Sequence, residues 1–124
     1  MKNKYLTLAA LSGFFCVALG AFAAHALSHI LEAKALSWVD TGLKYQMFHT
    51  IAVLAVALSA LRDNKFARLS MSSWLIGTLL FSGSLYALAF GTSNAIVWIT
   101  PIGGTLFLIG WINLAYGSFK SKSL

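Results

Sequence analysis

Acidic residues are nearly missing from this chain: Glu32, Asp40 and Asp63 are all there are in 124 positions. With so few, no activated nucleophile with a base and an orienting acid can be assembled, so the chain does not read as an enzyme. Cys16 is the only cysteine; it forms no internal disulfide, and its place inside an apolar run marks a buried packing residue. Strict two-residue alternation, the mark of a membrane barrel, is absent from the apolar runs. No basic stripe interleaved with aromatics offers nucleic acid a stacking surface, which removes nucleic acid as a partner. Gly103-Gly104 lacks the lysine and the preceding strand of a phosphate loop.

What the chain has is oil. Hydrophobic residues make up 59% and charged residues 10%, a balance that would leave a short soluble protein covered in apolar patches. In a bilayer that surface is at home, provided the backbone satisfies its own hydrogen bonds, as a helix does. Four apolar runs, at about 5–27, 38–61, 69–90 and 95–117, are each near the ~20 residues needed to cross about 30 Å of hydrocarbon. The expectation is all-α: one membrane domain over 1–124, a polytopic antiparallel bundle of four transmembrane helices. One competing reading is a leader peptide, since Lys2, Lys4 and Ala21-Phe22-Ala23 imitate a cleavage signal. The apolar stretch between them is long for that role, and we read it as a span.

Basic residues gather on one side of the runs. Lys2 and Lys4 precede the first, Arg62, Lys65 and Arg68 separate the second from the third, and Lys120 and Lys122 follow the fourth. On the other side Lys34 and Lys44 are offset by Glu32 and Asp40, and the 91–94 turn carries no charge. Cytoplasmic loops collect Lys and Arg, so both termini are expected in the cytoplasm of a cell whose plasma membrane holds the protein.

Local signals set the helix ends. Ser37 followed by Asp40 resembles a capping box that starts the second helix near Trp38. Asp40 and Lys44 stand four apart on one face of it. Trp38, Trp74, Trp98 and Tyr5 read as markers of the membrane interfaces. Pro101 falls in the first turn or two of the fourth helix, where it is either the favoured first position or the site of a kink. Small residues recur at one heptad: Gly13 and Gly20; Gly77 and Ser84; Gly103, Gly110 and Gly117. In lipid, helices associate through close packing, and such strips let neighbouring backbones approach.

The polar residues that bear on function are His25, Asp40, Tyr45, Gln46 and His49, with His29 a turn beyond His25. If the first two helices pack together, His25 and His49 come to similar depth near the outer face. Three readings stay open. The group fixes helix register by hydrogen bonding; it lines a vestibule for protons or a small solute; or His25, His29 and His49 hold a metal or haem. No cysteine or carboxylate is spaced to complete a first ligand shell, so neither cofactor nor metal is expected. Ser82, Ser84 and Tyr86 put hydroxyls in the third helix, where serines usually return to their own backbone. Asn113 reads as an interhelical bond or a snorkelling amide.

These residues also carry a resemblance. Gly20-Ala21-Phe22-Ala23-Ala24-His25-Ala26-Leu27 resembles a signature of the YgdD-like small membrane proteins, a family of unknown function. Thr41-Gly42-Leu43-Lys44-Tyr45-Gln46-Met47-Phe48-His49, Phe81-Ser82-Gly83-Ser84-Leu85-Tyr86 and Thr100-Pro101-Ile102-Gly103-Gly104 resemble its other blocks, in order and across nearly the full chain. Ala23 and Ala26 stand where glycines are usual. The resemblance implies a four-span inner-membrane protein and supplies no reaction. It draws attention to His25, Tyr45, Gln46 and His49, which fall inside the blocks. The expected role is a structural, interaction or accessory component of the membrane, whose partners are the lipid bilayer and a further copy or another membrane protein. The alternative is a small channel or transporter component with a polar outer mouth.

Overall fold

A computed structural model describes residues 3–121. Lys2 and Lys122, counted above among the charges, lie outside the described residues. Four α-helices make up the fold, and no strand occurs among the described residues: α1 Lys4–His25, α2 Ala33–Ala57, α3 Lys65–Ala89 and α4 Ile99–Lys120.

Caps explain where the helices begin. The Asn3 side chain accepts the Leu6 amide and starts α1; Asn64 accepts the amides of Phe66 and Ala67 and starts α3 four residues ahead of its apolar run. The expected start of α2 near Trp38 is wrong. The helix is already formed at Ala33, and the Ser37 hydroxyl donates back to Lys34 O at 2.6 Å instead of capping. Asp40 therefore sits inside the helix. A 3₁₀ turn at Leu27–His29, with Leu27 fully buried, joins α1 to α2. Gly91, at φ 86°, takes the left-handed conformation that ends α3. A second 3₁₀ turn at Asn94–Trp98 occupies the start of the fourth run. Pro101 thus falls in the first turn of α4, where its missing N–H costs no intrahelical bond.

Consecutive helices run antiparallel. Asn3 reaches Ala57 O and Ser12 reaches Thr50 between α1 and α2. Ser82 reaches Gly42 O between α2 and α3, and Ser84 reaches Thr100 between α3 and α4. α3 and α4 make the most extensive contact, α2 packs on α3, and α1 rests on α2. Glycines account for the tightness of the α3–α4 seam. A Cβ on Gly77 would lie 2.9 Å from the Phe107 ring and one on Gly117 2.7 Å from Phe66 Cβ. A Cβ on Gly103 would strike the Phe81 backbone, and one on Gly110 the Trp74 indole. The α1 strip behaves differently. Gly20 has nothing within 4 Å, and Gly13 meets only the Thr50 methyl at 4.0 Å, so no backbone approaches α1 there. Gly42, outside the heptad strips, is tight as well: a Cβ there would lie 2.6 Å from the Tyr86 ring.

Among the described residues, three stretches are long and apolar enough to cross a membrane: Lys4–His29, Lys65–Ala89 and Asn94–Lys120. α2 is as long as α3. Lys34, Asp40, Lys44 and Gln46 lower its hydropathy. The antiparallel packing brings Lys4, Arg62, Lys65, Arg68 and Lys120 to one end of the bundle. There Arg68 lies over the Tyr5 ring and Phe66 meets Tyr116.

Candidate functional site

Two apolar clusters divide the interior. One, toward the basic end, holds Ala9, Val53, Met71, Trp74 and Phe107; the other holds Cys16, Val39, Leu43 and Ala89. Between them lies a layer of polar side chains, and α2 supplies its centre.

His49 faces α4. Its Nδ1 lies 2.8 Å from Tyr45 O, and its Nε2 lies 3.0 Å from the indole Nε1 of Trp111. A carbonyl can only accept and an indole N–H can only donate, so the ring must be neutral with its proton on Nδ1. The ring stacks on Phe107 at 3.7 Å between centroids and 6° between planes, and is 3% exposed. Trp74 packs against both His49 and Trp111; its own indole N–H is buried without a hydrogen-bond partner. Tyr45 stays half outside this box, its ring against Phe81 and Phe107.

Gln46, three residues earlier, faces the opposite neighbours. Its Nε2 donates to Ser12 Oγ at 3.0 Å, and its Oε1 accepts the Tyr86 hydroxyl at 2.7 Å. Ser12 in turn shares a 2.7 Å hydrogen bond with Thr50. One amide thus joins α1, α2 and α3. Ser82 adds a second α2–α3 tie by donating to Gly42 O across 2.7 Å, not to its own helix. Asn113 does the reverse, bonding Ile109 O within α4.

The histidines are not brought together. α1 and α2 are antiparallel in a register that sets Ser12 beside Thr50 and packs Ala23 into the cluster with Ala35 and Trp38. His25 is therefore level with the first turn of α2, roughly 20 Å along the axis from His49. It is exposed, as is His29. Asp40 is exposed as well and pairs with Lys44 at 2.9 Å. Of the five residues, only Gln46 and His49 are buried. Among the described residues, no group of three or more His, Cys, Asp or Glu side chains is arranged to hold a metal ion.

Reading the sequence alone missed Trp111, Phe107, Ser12 and Thr50 as the partners of this layer. A signal existed for two of them. Trp111 is adjacent to Gly110 in the α4 strip, and Ser12 is adjacent to Gly13. Trp74, read as an interface marker, is fully buried between α3 and α4 because Gly110 leaves room for its indole.

A groove of about 630 Å³ opens between α1 and α3. Ser12, Gln46 and Tyr86 line its inner part, and Leu8, Leu11, Phe15, Ile76 and Leu79 make its apolar walls.

Comparison with known proteins places this arrangement in a family. Residues 19–104 match the family described as "Protein of unknown function (DUF423)". A "UPF0382 membrane protein" of Haemophilus influenzae is 93% identical over the whole of both chains. The "UPF0382 inner membrane protein YgdD" of Escherichia coli is 45% identical, covering 98% of this chain and 95% of its own. The "UPF0382 membrane protein YwdK" of Bacillus subtilis is 35% identical over 94% of this chain and 96% of its own. No solved structure matches.

Proposed function

The chain belongs to the DUF423 family of membrane proteins of unknown function, and from that premise we propose that it is a non-catalytic membrane component acting through lateral contacts in the bilayer. It forms one domain of four spans with both termini on the cytoplasmic side. The observation that carries this reading is that Gln46 and His49, the polar side chains at the centre of the buried layer, are held by their neighbours. Both nitrogens of His49 and both ends of the Gln46 amide are engaged with other groups of the bundle. A general base or a metal ligand needs a free lone pair on the imidazole, and the one on His49 Nε2 is taken by Trp111. The work of Gln46 and His49 is to hold register.

The basic end supports the orientation, because Lys and Arg concentrate on the cytoplasmic side of inner-membrane proteins. As a fourth span, α2 is about 37 Å long by its rise, enough to cross with its polar first turns beyond the hydrocarbon. It lies antiparallel between α1 and α3, which are apolar enough to cross.

Two measurements test the reading. Reporter fusions at each terminus should both report cytoplasm; opposite sides contradict the four-span arrangement. A photoreactive residue at Phe14 or Val17, exposed on α1, should give one discrete adduct with a second copy or another membrane protein. Adducts with lipid alone, together with proton or solute flux in proteoliposomes, would favour a conduit instead.

A further inference from the structure

The groove between α1 and α3 does not end in apolar walls. At the basic end Lys4 and Tyr5 line both it and an adjoining pocket of about 570 Å³, whose other walls are Asn3, Arg62, Asp63, Arg68 and Met71. Among the described residues three cations meet one carboxylate there, and that carboxylate already sits 3.9 Å from Arg62. Lys4 and Arg68 approach the same Tyr5 ring, at 5.5 and 5.4 Å from its centroid. The Tyr5 hydroxyl bonds Ser72 across 2.7 Å, which fixes the ring where groove and pocket meet.

The geometry points to an anionic glycerophospholipid as the occupant, with one acyl chain lying between α1 and α3 and its phosphate between Lys4 and Arg68. From Ser72 to Tyr86 the groove follows α3 for about 20 Å, longer than the ~15 Å of hydrocarbon in one leaflet. Apolar walls suit the chain, and the uncompensated positive charge suits the phosphate. The hydroxyls and amide of Ser12, Gln46 and Tyr86 line the part of the groove away from the basic end. This deepens the proposed function in one respect: it takes the Lys4 end to be the cytoplasmic one, where anionic lipids attract basic residues.

The test uses the full chain, purified in mild detergent, with phosphatidylglycerol or phosphatidylcholine added. Native mass spectrometry reads the fraction carrying one lipid. Detergent has no sides, so this result is independent of the reporter-fusion result. Phosphatidylglycerol should be retained at least fivefold over phosphatidylcholine. Lys4→Gln and Arg68→Gln should each lower that retention about fivefold, the equivalent of about 1 kcal/mol per basic residue. Lys120→Gln, at the same end but away from the groove, should leave it unchanged. Gly83 lines the groove and has open space at its Cβ, so Gly83→Phe should fill the groove, abolish retention and keep the thermal midpoint. Glycerol phosphate in hundredfold excess should not displace the lipid. Equal retention of the two lipids, an equal loss in Lys120→Gln, unchanged retention in Gly83→Phe, or displacement by glycerol phosphate overturns the proposal.

Discussion

The indole N–H of Trp111 donates to Nε2 of His49 across 3.0 Å, joining α4 directly to α2. Those helices are not neighbours in sequence, and the bond closes the bundle over Trp74 and Phe107. Hydrogen bonds between membrane helices contribute about 0.6 kcal/mol on average and up to about 1.7. Trp111→Phe keeps most of the ring and loses the donor, so it should lower stability by that amount. His49→Ala also removes the stacked ring, adding a further ~1 kcal/mol. Unfolding of the purified variants in detergent should rank wild type above Trp111→Phe, and that above His49→Ala. The reverse order of the two variants would show that the stack contributes nothing.

The glycines separate into two kinds, and alanine substitution should show it. Gly103→Ala drives a methyl into the Phe81 backbone and should cost about 1–3 kcal/mol, because neither helix can yield without opening the seam. Gly20→Ala meets nothing and should stay within about 0.5 kcal/mol of wild type. Equal thermal midpoints for both would mean that α3 and α4 are not in close contact.

Gly110 and Leu108, two positions apart on α4, should respond in opposite ways to changes of size. Gly110→Leu displaces the Trp74 indole from a fully buried site, whereas Leu108 is 65% exposed and Leu108→Ala removes only outward-facing surface. The larger drop in thermal midpoint should belong to Gly110→Leu. Matching drops would argue that Trp74 has another place to go.

Tyr86→Phe tests the three-helix junction. It deletes the donor to Gln46 Oε1 and leaves the ring against Gly42 and Phe15. The expected loss is small, about 0.6 kcal/mol. Gln46→Leu should lose more, since it also removes the donor to Ser12 and leaves the Tyr86 hydroxyl without its acceptor. Proteolysis or crosslinking between α1 and α2 should then show α1 loosened while the α3–α4 pair stays intact. Loosening of α4 instead would place the junction elsewhere.

Much of this was legible in the chain, and the rest was hidden for physical reasons. Helical class and the family follow from long apolar runs and from ordered blocks such as Thr41–His49, because run length and local motif are properties of sequence. The start of α2 was not legible. Ser37 and Asp40 fit a cap as well as they fit a helix interior, and only tertiary contacts chose the interior. Pairing was harder still. His25 and His49 both sit at plausible depths, but the register between α1 and α2 decides whether they meet, and Ser12–Thr50 contacts set that register. The heptad glycines looked equivalent in sequence. Gly103 and Gly110 face a partner while Gly20 faces open space, a distinction that depends on which side of each helix the neighbours occupy.

The account rests on His49 being held from both sides, and nitrogen-15 NMR of histidine-labelled protein measures that directly. The signal lost in His49→Ala, and so assigned to His49 and not to His25 or His29, should show one neutral form with its proton on Nδ1 and an Nε2 resonance that moves in Trp111→Phe. An Nε2-protonated ring, or a mixture of tautomers indifferent to Trp111, would contradict it.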